Sequence, residues 1–282
     1  MVDARCPPSV AIGRVLYGTA FLAPSPYQAY AHWGSFYTTD GGATFASDYW
    51  HLPNPDLKPQ RKQTIETHVI HGLRPGWSLN ASLFATRATN LIQESDPSQA
   101  YSGLYHGWPV AYIDFPVNDG RETNYGGSIG LDVLKSITAR RRFEGRIALA
   151  LVDGRVWNPG SPNGELRIGA VAPLQLRLGA DLDWDGWTMA PRLAVVSTQR
   201  VLATRLEAGK PVRETVPGYA TLDVNVRRSE VFRHVDLFLT LENAFDARYR
   251  HINTRAFTNP EELLGAPQNP RRITVGFDLR LR

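Results

Sequence analysis

Apolar and polar residues alternate one by one over long stretches of this chain, the period expected when successive side chains leave a strand on opposite faces. Across residues 77 to 86, Trp77, Leu79, Ala81, Leu83 and Ala85 share one face, while Ser78, Asn80, Ser82 and Thr86 share the other. Near the end, Ile273, Val275, Phe277, Leu279 and Leu281 oppose Arg272, Thr274, Asp278, Arg280 and Arg282. The same alternation sets Leu174, Leu176, Leu178, Ala180 and Leu182 against Gln175, Arg177, Asp181 and Asp183, and Ala220, Leu222, Val224 and Val226 against Thr221, Asp223, Asn225 and Arg227. It also sets Val235, Leu237, Leu239 and Leu241 against Asp236, Thr240 and Glu242. The pattern predicts ten strands, near 9 to 20, 58 to 71, 77 to 91, 122 to 136, 142 to 152, 173 to 184, 187 to 199, 218 to 228, 235 to 246 and 271 to 282. Most are long enough to cross a bilayer at a tilt, which takes about 9 to 11 residues.

The connections alternate as well. Short ones fall at Leu73 to Gly76, Thr138 to Arg141, Trp184 to Gly186 and Ser229 to Arg233; long ones run 21 to 57, 92 to 121, 153 to 172, 200 to 217 and 247 to 270. Tight periplasmic turns opposite long extracellular loops are the asymmetry of an outer-membrane barrel, and they place both chain ends on the periplasmic side. A soluble β-sandwich also alternates, but its strands run about five or six residues and its loops follow no long-short rule. Trp77, Trp184, Trp187, Tyr219 and Phe245 stand near strand ends, where an aromatic girdle would meet the membrane interfaces. The expected fold is all-β, an antiparallel transmembrane β-barrel segment of about ten long strands.

Composition narrows this further. No apolar run among the 282 residues approaches the roughly 20 that a membrane-spanning helix needs. Seven Trp, eleven Tyr and eleven Phe beside only two Met suit strands and turns. The single Cys6 can form neither an internal disulfide nor a cysteine metal site, and no metal site or cofactor is expected elsewhere. The net charge of +4 would permit nucleic-acid binding, but the arginines recur along strands and turns, as at Arg140, Arg141 and Arg142, and do not cluster on one patch. They are expected to be solvated or lumen-facing, and nucleic acid is not an expected partner. Residues 1 to 8 form an irregular leader without the basic start, apolar stretch and small-residue site of a secretory signal, so the chain is expected to be incomplete at its front.

Three segments carry a resemblance. Tyr17-Gly18-Thr19-Ala20-Phe21-Leu22-Ala23-Pro24-Ser25 is similar to a YGxAFRAPS stretch, with Leu22 in place of Arg, and Asn54-Pro55-Asp56-Leu57-Lys58-Pro59-Gln60 to NPDLKPE, with Gln60 in place of Glu. Leu241-Glu242-Asn243-Ala244-Phe245-Asp246-Ala247-Arg248-Tyr249 resembles VENLFDxxY, and Pro270-Arg271-Arg272 through Val275-Gly276-Phe277 resembles a PRxxxxG closing strand. In this order and spacing they resemble the TonB-dependent outer-membrane receptors, which import iron chelates, haem, cobalamin and some sugars. The resemblance implies the last part of a 22-stranded barrel, with residues 9 to 282 as its C-terminal portion. It also implies outer-membrane lipid around it, in a Gram-negative bacterium, and a plug, not recognised in this chain, through which the TonB complex would act. Members tend to end on an aromatic residue, whereas this chain stops at Arg282.

In that family the extracellular loops and the plug top grip the ligand. The first long loop holds Tyr27, Tyr30, His32, Trp33, Phe36, Tyr37, Tyr49, Trp50 and His51, and the second Tyr101, Tyr105, His106, Trp108 and Tyr112. Flat rings bury large area with little entropy loss, which suits a planar or catecholate ligand; the alternative is that they pack on one another to order the loops. Ligand-binding candidates are Tyr30, His32, Trp33, Tyr37, Tyr49, Trp50, His51, Tyr105, His106 and Trp108. The expected function is import of an iron siderophore, without enzymatic activity. Haem is the alternative, because Phe21 to Pro24 and Asn54 to Leu57 stand where haem receptors carry FRAP-like and NPNL-like boxes, with His32 and His51 between them to ligate iron; Leu22 and Asp56 depart from that pattern. A reading of a different class is a ten-stranded barrel enzyme with rim residues among His106, Asp114, Asp119, His251 and Glu261, although their spacing forms no recognisable acid-base pair.

Overall fold

A computed structural model describes residues 10–38, 40–94, 103–157, 165–207, 210–252 and 265–279. Ten long strands form one antiparallel meander: β1 (Ala11–Leu22), β2 (Gln60–Arg74), β3 (Trp77–Glu94), β4 (Pro116–Thr138), β5 (Arg141–Trp157), β6 (Leu174–Trp184), β7 (Trp187–Val196), β8 (Tyr219–Phe232), β9 (Val235–Glu242) and β10 (Arg272–Leu279). Each strand pairs with its neighbour in sequence, and β1 and β10 are the two edges. All ten coincide with strands the alternation predicts. The leader lies outside the described residues.

Register turns the alternation into a continuous surface. From Leu83 the apolar row passes through Gly127, Leu151 and Leu174; from Leu79 it passes through Leu131, Ile147, Leu178, Leu193 and Leu222. Leu241 continues to Ile273, and Leu237 to Phe277. These side chains face outward: Leu83 is 67% exposed and Phe277 67%, values that a water-soluble protein would not tolerate across a whole sheet. On the opposite face Arg146 pairs with Asp132 at 2.5 Å, Arg192 with Asp181 at 2.6 Å, and Arg227 with Asp236 at 2.7 Å. An apolar outer band over a charged, ion-paired inner face is the cross-section of a membrane barrel, and the sandwich reading fails on it. Each barrel edge in lipid needs a further strand to satisfy its free N–H and C=O groups.

The short turns use the backbone that two-residue connections demand. Asp185 and Gly186 take φ of 48° and 88°, the positive pair that a tight hairpin turn needs. Gly76 sits at φ 77° with its carbonyl accepting the Leu134 amide at 2.6 Å, and any side chain there would run into the Leu134 carbonyl. One expectation is narrowed at this end, and one is corrected at the long-loop end. Of the two readings for the arginines, solvated or lumen-facing, Arg141 takes the first: alternation along β5 puts it on the outer face with Phe143 and Ile147, where it pairs with Trp184 and lies over that indole. Tyr219 is no girdle residue, since its partner Val196 puts it on the inner face, where it stacks on Tyr249 at 4.2 Å.

Candidate functional site

The site is built where the first two long loops meet. Directly after β1, Ser25 caps the short helix α1 (Pro26–Tyr30): its hydroxyl accepts the Gln28 amide while the Gln28 side chain returns to the Ser25 amide, a reciprocal capping box with Pro26 at the first helical position. The chain then forms two-residue strands, Trp33–Gly34 antiparallel to Trp50–His51, and Trp50–His51 parallel to Ile113–Asp114 of the second loop. Trp50 N–H donates to the Tyr112 carbonyl at 3.0 Å, Leu52 N–H to Asp114 at 2.9 Å, and Ala111 N–H to Ser47 at 2.8 Å. Main-chain bonds therefore zip the two loops together. Gly34 is required at the crossing, because a Cβ there would overlap the Trp50 ring.

At the centre His51 is fully buried, and its Nδ1–H donates to Asp114 Oδ2 at 2.8 Å. Tyr49 hydroxyl donates to the same oxygen at 3.0 Å. Tyr27 stacks on the imidazole at 4.5 Å and Trp33 lies parallel at 6.0 Å, so rings cover the histidine. Three polar atoms here have no protein partner: His51 Nε2, Asp114 Oδ1 and Trp50 Nε1. A second ring group surrounds Trp50, with Phe36 at 5.3 Å, Tyr105 at 5.0 Å and His32 at 5.5 Å; His32 Nε2 and the Tyr105 hydroxyl are hydrogen-bonded at 2.8 Å. Trp108 packs edge-on against Phe45 at 5.2 Å, and His106, at φ 50°, sits against Tyr105.

These contacts sort the candidates. Tyr49, Trp50, His51 and Tyr105 are structural in position, partly or wholly covered and holding the two loops in one geometry. Tyr30, Trp33 and Tyr37 are 71%, 47% and 47% exposed, and His32 and His106 are exposed too. Tyr101 and Glu261 lie outside the described residues. No acid-base pair forms among the described enzyme candidates: Asp114 bonds His51 and not His106, and Asp119 stands exposed near the start of β4. No group of three or more His, Cys, Asp or Glu could hold a metal among the described residues.

Residues that sequence reasoning left aside fix the loop bases. Asn54 donates to the Pro116 carbonyl at 2.8 Å, and Asn118 accepts the Lys58 amide at 2.5 Å while donating to the Lys58 and Asn90 carbonyls. Asn243, 5% exposed and at φ 47°, does the same between β9 and β10: it donates to the Ala247 and Asn269 carbonyls and accepts the Ala247 amide at 2.9 Å. The asparagines of both motifs are thus backbone clamps. Farther out, Asp40 gathers the Thr44 hydroxyl and amide and the Thr38 hydroxyl, which hold its carboxyl well below the usual range, and a hydrogen bond from Tyr37 to Asp48 pushes that phenol up.

The model of the TonB-dependent receptor-like β-barrel matches residues 8–244. The chain belongs to this family. TonB-dependent receptors are outer-membrane proteins of Gram-negative bacteria, and this barrel portion stands in that membrane. Solved structures agree in fold. The copper transporter OprC is 16% identical with a TM-score of 0.60, over 97% of this chain and 38% of that one. The ferric-catecholate import receptor Fiu of E. coli K12 is 17% identical with a TM-score of 0.61, over 95% and 33%. The ferric enterobactin receptor PfeA of Pseudomonas aeruginosa, solved with enterobactin, is 15% identical with a TM-score of 0.62, over 99% and 39%. This receptor chain therefore spans between a third and two-fifths of the length of these structures. No curated protein matches it.

Proposed function

We propose that residues 9 to 282 form the C-terminal barrel portion of a receptor that binds an iron siderophore and imports it across the outer membrane, energised by the TonB complex through a plug. The observation that carries this reading is the pair of zipped loops. They present Tyr27, Tyr30 and Trp33 at the surface, 47% to 71% exposed, over a cluster of buried His51 and Asp114 with half-buried Tyr49 that fixes their backbone. Exposed rings on a rigid support lose little entropy when a flat catecholate ring stacks on them. Fiu is a ferric-catecholate import receptor and PfeA was solved with enterobactin, which supports the same ligand class. Copper, the cargo named for OprC, is less suited to these loops: Cys6 and the two methionines, Met1 and Met189, all lie outside them, so they offer copper no soft sulfur ligand. Haem is also disfavoured at His51, whose ring is buried against Tyr27 and Trp33 and committed at Nδ1; among the described residues the exposed imidazoles are His32 and His106 in the two zipped loops and His251 in the last long loop. The reading makes the chain a binder and transporter and assigns it no catalysis.

Ferric enterobactin, added to outer membranes carrying the protein, is the test. Binding followed by tryptophan fluorescence should weaken about tenfold in Trp33→Ala or Tyr30→Ala, consistent with roughly 1–3 kcal/mol of aromatic contact. Equal binding by wild type and both variants would reject these loops as the ligand surface. A Soret shift on adding haem that disappears in His32→Ala would replace the siderophore with haem.

A further inference from the structure

The short-turn end of the sheet carries a feature that ligand import does not use. Register lines up four residues from adjacent strands on the apolar, lipid-facing side: Arg141 of β5, Trp184 of β6, Trp187 of β7 and Arg228 of β8. Arg141 lies over the Trp184 ring at 4.4 Å and Arg228 over the Trp187 ring at 5.4 Å. The indoles remain 49% and 51% exposed. The next row toward mid-membrane is purely apolar, with Leu182, Met189 and Val226.

Two cations on the lipid-facing side of a barrel are costly unless they sit at the level of the headgroups. The turn between β6 and β7 holds them there. Arg141 donates through Nε and Nη2 to Asp185 Oδ2 at 2.8 and 2.6 Å, and Arg228 donates through Nη1 to the Asp185 carbonyl at 2.6 Å. Gly186 makes room, since a Cβ there would stand 2.7 Å from the Arg228 guanidinium. Asp185 offsets one positive charge; Arg228 has no carboxylate partner among the described residues. The row is therefore an aromatic platform with one net positive charge, open to the bilayer.

We infer that this row binds the headgroup of an anionic glycerophospholipid in the periplasmic leaflet, with the phosphodiester against Arg228 and Arg141 and the upper acyl chains on Trp184 and Trp187. Guanidinium is suited to phosphate oxygens, and indoles favour the headgroup level. One uncompensated charge near an anionic surface corresponds to about a fivefold preference over a zwitterionic lipid.

The test uses the protein extracted from outer membranes and reconstituted into phosphatidylcholine vesicles doped with either brominated phosphatidylglycerol or brominated phosphatidylcholine. Tryptophan quenching should be stronger with the brominated phosphatidylglycerol at equal mole fraction. That excess should vanish in the double variant Arg141→Gln, Arg228→Gln, and persist in Arg142→Gln, which removes one charge from the inner face. Equal quenching by both brominated lipids in the wild-type protein overturns the inference without need of any variant. So does an excess that survives the double substitution or is lost equally in Arg142→Gln.

Discussion

Replacing Asp114 with alanine tests whether the buried cluster holds the two loops together. The carboxylate accepts from His51 Nδ1 at 2.8 Å and from the Tyr49 hydroxyl at 3.0 Å. Removing it orphans both donors, at roughly 1–3 kcal/mol each. Tyr49 is only partly buried and can turn toward water, so the expected loss is about 2–4 kcal/mol of loop docking. Because the barrel strands share none of these bonds, the loss should appear as local opening and not as global unfolding. Amide hydrogen exchange reads it directly. Protection at the Trp50, Leu52 and Ala111 amides, whose bonds cross between the loops, should fall roughly 30- to 1000-fold, while Leu149 in the middle of β5 keeps its protection. Unchanged protection at the three loop amides would mean that main-chain bonds and ring stacking suffice, and an equal fall at Leu149 would mean that the loops are not an independent unit.

Two further outcomes are expected. Asn243→Ala frees the Ala247 amide and the Ala247 and Asn269 carbonyls that the 5%-exposed side chain serves, so it should cost about 1–3 kcal/mol and lower the unfolding midpoint in detergent. Asn225→Ala, which removes one exposed bond to Thr240, should leave that midpoint nearly unchanged. Asp40 binds its proton less readily in the folded loop than in an unfolded chain, where the value is 3.8; its contribution is therefore complete above that value and is lost as pH falls toward the lower folded one. The Thr44 amide signal in NMR spectra should stay constant from neutral to mildly acidic pH and move only in strong acid, and Asp40→Asn should abolish the acid transition.

The barrel was legible because every strand writes its orientation locally, one residue in and one out, over a length that only a membrane requires. Boundaries drifted where that code stops. β4 begins at Pro116, six residues before the alternation suggests 122, because Val117, Asn118 and Gly120 pair with Gln93, Ile92 and Leu91 across a bulge where no apolar face is needed. β9 ends at Glu242 and not at 246, since Asn243 leaves the strand to clamp the turn. The site was legible only as a list of rings. His51 and Asp114 stand 63 residues apart, in two-residue strands with no period, and nothing local announces that they meet. Of the motif asparagines, Asn54 could have been found from the sequence, as a polar residue beside a proline at a loop base where carbonyls need partners; Asn243 has no such neighbour.

The parallel seam between residues 47–52 and 110–114 also limits how this surface can change. Each stretch supplies the hydrogen-bonding register of the other, so a one-residue insertion in either would set Trp50 and His51 against the wrong partners and turn their side chains over. The loops form one heritable unit, and new ligand preference can arise at their tips or by exchanging both together. A chimera that borrowed only residues 23–59 from another receptor would inherit half a seam.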